Sequence, residues 1–277
     1  MTINNKFTIL NFIGNGKFGE VWKGSNIRTN EVVAIKIENS SSKFKILKRE
    51  TTILNYLFRE HVKKVPSIYW FGQYENNTCL IMTYFSLNIL EYMESLSELN
   101  ITTLYKIMKK CLNVLKSIHQ HGVLHRDIKP QNFMIKHDDI YLIDFGLSIF
   151  YIDENDRHIE KQDSENVVGT PKYISYFNHN GEPNSRRDDL LSLGYLILLL
   201  VNGSLPWEEE FLEAKNFTDS NIQETSIQHP CNIERKTKKT LENILKICNE
   251  ELDTYFQYCY NLNYYTNPDY DVLIDIF

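Results

Sequence analysis

The residues best placed to do chemistry lie in one short run, His125-Arg126-Asp127-Ile128-Lys129-Pro130-Gln131-Asn132. A carboxylate at Asp127 can orient a hydroxyl and accept its proton. Lys129, two residues on, can neutralise a phosphate. The amide oxygen of Asn132, five residues beyond the carboxylate, can hold a metal ion. Phosphoryl transfer needs these parts, because its catalysis is mostly positioning and charge neutralisation. A second acid, Asp144, heads Asp144-Phe145-Gly146 after the apolar run Ile140-Tyr141-Leu142-Ile143. An aspartate at a strand end near Asn132 would complete a magnesium site of oxygen ligands.

A further set of candidates lies near the start of the chain. Ile13-Gly14-Asn15-Gly16-Lys17-Phe18-Gly19-Glu20-Val21 is followed by the β-rich run Val32-Val33-Ala34-Ile35-Lys36-Ile37. This reads as two strands joined by a glycine loop, then a third strand. Glycines let backbone amides approach phosphates with no side chain in the way. A plain hairpin explains the same glycines equally well, and no helix follows, so the dinucleotide-binding fingerprint fails its context. Lys36 among apolar strand neighbours needs a counter-charge, since an unpaired buried charge is costly. Lys45 to Leu57 carries Ile46, Leu47, Ile53, Leu54 and Leu57 at helical spacing, and Glu50 is the only acid there. Glu50 is therefore the expected partner of Lys36.

The elements that must position these groups follow from the same patterning. Ile68 to Tyr74 and Thr78 to Thr83 read as strands about the turn Glu75-Asn76-Asn77. Ile101 to His121 reads as a long amphipathic helix ended by Gly122. Phe133-Met134-Ile135 and Ile140 to Ile143 read as a hairpin. Leu147 to Lys172, rich in Asp153, Glu154, Asp156, Glu160, Asp163 and Glu165, reads as a loop. Arg187 to Val201 reads as a core helix, because its apolar run Leu193 to Val201 is far short of the ~20 residues of a membrane span. Glu208 to Lys239 is polar and gives no clear element. Two helical stretches and Asn267-Pro268-Asp269-Tyr270 finish the chain.

Composition bounds the possibilities. The chain has 277 residues, 42% hydrophobic and 24% charged, enough for a sizeable core in one domain or one two-lobed unit. Thirty basic against thirty-six acidic residues give a net charge of −6, which argues against nucleic acid as partner. Cys79, Cys111, Cys231, Cys248 and Cys259 are odd in number and none forms a close pair. That fits neither a disulfide framework nor a zinc site, and points to a reducing, intracellular compartment, cytoplasm or nucleus. Neither a signal peptide nor a lipidation motif is evident, so the expectation is a soluble protein without a membrane anchor.

Taken together and in order, these elements resemble the eukaryotic-type protein kinases: a glycine loop, the strand lysine of Val33-Ala34-Ile35-Lys36, the His125 to Asn132 loop and Asp144-Phe145-Gly146. Gly169-Thr170-Pro171-Lys172-Tyr173, Ser185-Arg186-Arg187-Asp188-Asp189-Leu190, Gly203-Ser204-Leu205-Pro206-Trp207 and Pro268-Asp269-Tyr270 look like the casein kinase 1 family. The resemblance implies an α+β, bilobal fold. A small β-rich N-lobe with one main helix (1–82) leads through a hinge (83–86) to a larger, mostly helical C-lobe (87–277). It implies a serine/threonine kinase that uses ATP and Mg2+, acts on protein substrates and works as a monomer. Lysine at position 129 points to serine/threonine specificity. Asp127 would be the catalytic base, Lys129 would steady the transferred phosphoryl, and Asn132 and Asp144 would hold magnesium. Lys36, paired with Glu50, would bind the α/β-phosphates. Ile13, Gly14, Gly16 and Gly19 would cover the nucleotide, Val21, Ala34 and Met134 would sandwich the adenine, and Met82 would sit behind it. Asp189 would cap the backbone of the His125 to Asn132 loop.

Two departures bear on substrate choice. The resemblance implies an anion site of basic residues around the segment after Asp144. Only Lys172 matches it in charge, while Glu165 and Ile149 stand where lysines are common. Priming by a substrate phosphate is therefore expected to matter less here, unless Arg186 or Arg187 rebuilds the site. The rival reading is a pseudokinase, a kinase fold kept as a binding module. Its usual mark is loss of Lys36, Asp127 or Asp144, and all three are present.

Overall fold

A computed structural model describes residues 2–16, 19–42, 45–96, 100–161, 167–208, 244–245 and 248–277. Asp163, Glu165, Cys231, the Lys17-Phe18 tip and nearly all of the polar stretch from Glu208 to Lys239 lie outside them. The chain divides into two compact units, residues 1–92 with 132–148, and residues 93–131 with 149–277.

The first unit is built on strands β1 (Thr2–Ile3), β2 (Phe7–Gly16), β3 (Gly19–Asn26), β4 (Val32–Asn39), β5 (Ile68–Tyr74) and β6 (Asn77–Thr83). They form one antiparallel sheet in the order β1-β2-β3-β4-β6-β5. β1 was not legible in the sequence, being two residues long. Alternation along each strand assigns the two faces. Val33 and Ile35 of β4 join Cys79 and Ile81 of β6 in a cluster closed by Ile3 and Phe7. Ala34 and Lys36 project from the other face, opposite Met82 and Leu80 of β6.

Helix α1 (Ile46–Arg59) buries Ile46, Leu47, Ile53, Leu54 and Leu57, the stripe read from the sequence, together with Glu50. Its N-cap residue, Lys45, makes no side-chain cap. The vacancy is filled by Glu38 at the end of β4, whose Oε1 accepts the Ile46 N–H at 2.9 Å. A buried acceptor at an orphan helix N–H satisfies the backbone and ties α1 to the strand that carries Lys36. Later in this unit, β8 (Phe133–Lys136) pairs with β9 (Asp139–Leu142), and the 3-10 turn Phe145–Leu147 packs on α1.

The chain passes between units within α2 (Ile89–Ser95). The second unit is mainly helical: α3 (Ile101–Gln120), α4 (Tyr176–His179), α5 (Arg186–Asn202), α6 (Glu250–Tyr260) and α7 (Tyr270–Asp275). Asn100 caps α3 by accepting the Thr103 N–H. Helix α5 is buried without a break from Arg186 to Leu200; after its four charged first residues it is apolar nearly all round, as expected at the centre of a bundle. Among the described residues no helix is long and apolar enough to cross a membrane.

The segment read as a loop from Leu147 to Lys172 is only partly irregular. Ile149–Phe150 forms strand β10, antiparallel to β7 (Val123–Leu124). Ile152 bridges His158, and the end of the segment winds into the 3-10 turn Pro171–Tyr173. The acidic residues hid this, because a two-residue strand leaves no periodic signal.

Candidate active site

In the first unit, Lys36 is the hub. Its Nζ donates to Glu50 Oε1 and Oε2 at 2.8 and 2.9 Å and to Asp144 Oδ1 at 2.7 Å. The side chains are unequally exposed: 1% for Glu50, 16% for Lys36 and 40% for Asp144. Burial disfavours the ammonium, but the Asp144 and Glu50 carboxylates outweigh it and hold Lys36 above its ordinary value. Burial also drives Glu50 upward, against the Lys36 charge and the Phe145 N–H, and Asp144 adds to the rise. Lys36 thus stands between two acids that repel each other, one sealed in and one facing solvent.

Three local features set this geometry. Val21 lies opposite both Gly14 and Lys36, which fixes the register of β3 beneath the lysine. The buried Phe145 anchors the turn against α1. Asp144 is left-handed, with φ of 68°. A non-glycine residue there costs of order 1–3 kcal/mol and persists only where its surroundings demand it.

The remaining candidates of this unit spread across the sheet. Ala34 faces Met82 across the β4–β6 pair. Ile13 is the extra residue of a β-bulge between Phe12 and Gly14, and is exposed. Gly14 has open space where a Cβ would stand. Gly19 has φ of 151°, and a Cβ there would lie 2.1 Å from the Ile37 carbonyl oxygen, so this position demands glycine. Gly16 ends β2. Met134 is buried in β8, opposite Tyr141, and bridges Asn88. Asn132 is buried, and its carbonyl accepts the Ile143 N–H at 2.9 Å, beside the strand end that carries Asp144. The fit to magnesium rests on donor chemistry. Asn132 and Asp144 offer an amide oxygen and a carboxylate, which suits a hard cation that takes its other ligands from phosphate and water.

Asp127 and Lys129 belong to the second unit and form a cluster with a residue the candidate set lacked. Thr170 Oγ1 donates to Asp127 Oδ1 at 2.7 Å, and Lys129 Nζ donates to Asp127 Oδ2 at 2.7 Å and to Thr170 Oγ1 at 3.1 Å. Gly169 permits this contact. Its φ is 116°, and a Cβ would fall 2.7 Å from the Arg126 carbonyl oxygen. The sequence signal for Thr170 was a hydroxyl directly after glycine at the end of the acidic segment.

The loop backbone is held from below by Asp189 of α5. Its Oδ2 accepts the His125 N–H at 2.8 Å, and its Oδ1 accepts the Arg126 N–H at 2.9 Å. Arg126 is left-handed, with φ of 67°. Burial alone would raise the Asp189 carboxyl. The His119 hydrogen bond and the neighbouring imidazoles reverse this and keep it below its ordinary value.

Among the described residues of the expected anion site, Lys172 is already paired. Lys172 pairs with Glu208, which also accepts the Leu205 N–H at 2.7 Å, while the Trp207 indole donates to the Lys172 carbonyl at 2.9 Å. Arg186 and Arg187 do not rebuild it. Both are buried. Arg186 donates to the Tyr265 carbonyl and Asn267, and Arg187 donates to the Leu262 carbonyl and Glu182. Ile149 lies in β10, and Glu165 lies outside the described residues.

The first unit is rich in strands and the second is mainly helical. The chain matches the family model for the protein kinase domain over residues 7–260. It belongs to the protein kinase family, with the mixed α+β architecture of the bilobal kinase fold.

Proposed function

We propose that the protein is an active serine/threonine kinase of the casein kinase 1 type, transferring the γ-phosphoryl of ATP to hydroxyls of protein substrates. The observation that carries this reading is the intact Lys36–Glu50–Asp144 trio, which includes Lys36 and Asp144, two of the residues a pseudokinase usually loses. Serine/threonine specificity is supported by Lys129 bonded to both Asp127 and Thr170. The lobes would run 1–82 and 87–277 about a hinge at 83–86.

In this reading Asp127 orients the acceptor hydroxyl and takes its proton, as a carboxylate within hydrogen-bond reach of a hydroxyl can. Lys129 balances charge beside it. Lys36 is held by Glu50 to meet the α/β-phosphates. Magnesium, held by Asn132 and Asp144 when bound, would neutralise charge on the phosphate oxygens. Ile13, Gly14, Gly16 and Gly19 cover the nucleotide, and Val21, Ala34, Met82 and Met134 supply the adenine pocket. The buried Cys79, Cys111 and Cys259 are free thiols, which supports an intracellular protein.

Thermal shift with ATP and magnesium, followed by radiolabel transfer to casein, separates the alternatives. A kinase shows both stabilisation and label on serine or threonine. Stabilisation with no transfer to any protein would leave a binding module, and label on small molecules alone would point to another kinase class.

A further inference from the structure

A buried polar chain links the last described helix to the loop that carries Asp127, and all of it lies in the second unit. Tyr270, the first residue of α7, hydrogen-bonds His119 Nδ1 through its hydroxyl. The other ring nitrogen, His119 Nε2, meets Asp189 Oδ2 at 2.9 Å. That same Asp189 oxygen accepts the His125 N–H. Tyr270, His119 and Asp189 are all buried. A second path reaches the same histidine: Tyr151 donates to the His119 carbonyl at 2.5 Å, and Arg186 connects Tyr151 to Asn267 at 3.3 and 3.0 Å. Residues 265–271 are thus tied to the loop through both the side chain and the backbone of His119.

In a neutral His119 ring the chemistry fixes the direction of the first path. An ionised Asp189 only accepts, so His119 Nε2 carries a proton, and in the neutral ring Nδ1 accepts from the Tyr270 hydroxyl. A ring bonded at both nitrogens has one orientation and one tautomer. Without Tyr270 the ring can tilt or exchange tautomer, and the Nδ1–H form cannot serve Asp189 through Nε2. The carboxylate would then hold the His125 and Arg126 N–H groups less firmly, in a loop whose Arg126 is already strained.

We propose that Tyr270 is a positioning residue for phosphoryl transfer, acting through His119 and Asp189 to hold the Asp127 loop in register. This rests on the reading of Asp127 as the group that acts on the acceptor hydroxyl. Three variants test it, each assayed well below its melting temperature. Tyr270→Phe should lower kcat about tenfold and leave KM for ATP within twofold, because the Lys36 cluster belongs to the other unit. In a His119→Gln background the same substitution should cost less than twofold, the chain being already cut. Lys116→Ala removes an ion pair between α3 and Asp271 of α7 at 2.7 Å, with Asp271 79% exposed, and should leave kcat unchanged. A folded Tyr270→Phe enzyme with normal kcat, or an equal loss in both backgrounds, overturns the proposal. If Tyr270→Phe does not fold, 15N spectroscopy of the wild-type histidines decides. The Nε2–H tautomer at His119 supports the relay and the Nδ1–H tautomer overturns it. Asp127→Asn is the separate control: if it retains full activity, the reading of Asp127 fails, whatever Tyr270 does.

Discussion

Lys36 shows how far residue types alone can reach. A lysine in an apolar strand demands a counter-charge, and Glu50 is the only acid in the following helix, so the pair is legible in the sequence. The second acid was not, because Asp144 lies 108 residues away in sequence. The pairing has an energetic consequence. Removing one member of a buried ion pair strands the other, at a cost of about 3–5 kcal/mol. Lys36→Ala and Glu50→Ala should each lower kcat/KM severely, while the double mutant loses far less than the sum. We expect a coupling of ~1–3 kcal/mol in a double-mutant cycle on kcat/KM. Simple additivity would show that the contact does not matter to turnover.

At the scale of elements, the contacts that hold the Asp127 loop come from segments with weak sequence signals. Thr170 reaches Asp127 only because Gly169 approaches the Arg126 carbonyl. Gly169→Ala places a Cβ against backbone at a left-handed φ, a strain of order 1–3 kcal/mol. It should lower the melting temperature and reduce kcat at least tenfold, with ATP affinity unchanged. A variant with normal kcat would mean that the Thr170 contact is incidental. The start of α5 carries a second prediction. Asp188 closes a capping box with Ser185 and also accepts from Ser175, yet burial outweighs these bonds and lifts its carboxyl from 3.8 to about 6. A raised carboxyl binds its proton more tightly in the folded state. Its contribution to stability is therefore complete below about pH 4 and is lost as pH rises through about 6. The melting temperature of wild type should fall relative to Asp188→Asn between pH 4 and pH 7. A constant difference across that range would contradict the burial of this charge.

For the whole molecule, the order of strands and helices was readable because each long element has its period and its breakers. Two-residue strands, the Tyr270–His119 contact and the Lys172–Glu208 pair were not, since they join residues that no local pattern connects. The last pair bears on substrates. With Lys172 neutralised by Glu208, Arg186 and Arg187 buried, and a net charge of −6, these described residues offer little positive field to a substrate phosphate. Two peptides, one with phosphoserine and one with alanine three residues before the acceptor serine, should differ less than about tenfold in kcat/KM, which is roughly 1.4 kcal/mol of transition-state binding. A much larger preference for the phosphopeptide, lost in Lys172→Ala, would show that Lys172 leaves Glu208 to bind it.

The division of labour between the two clusters is tested most directly by kcat and MgATP affinity, measured together for Asp127→Asn and Asp144→Asn. Asp127→Asn should lose turnover by at least about 100-fold, the scale of general-base catalysis, and bind MgATP like wild type. Asp144→Asn should lose both turnover and MgATP affinity, because its carboxylate bonds Lys36 and is the proposed metal ligand. Near-normal turnover with unchanged MgATP affinity in both variants would contradict the assignment of phosphoryl transfer to these residues.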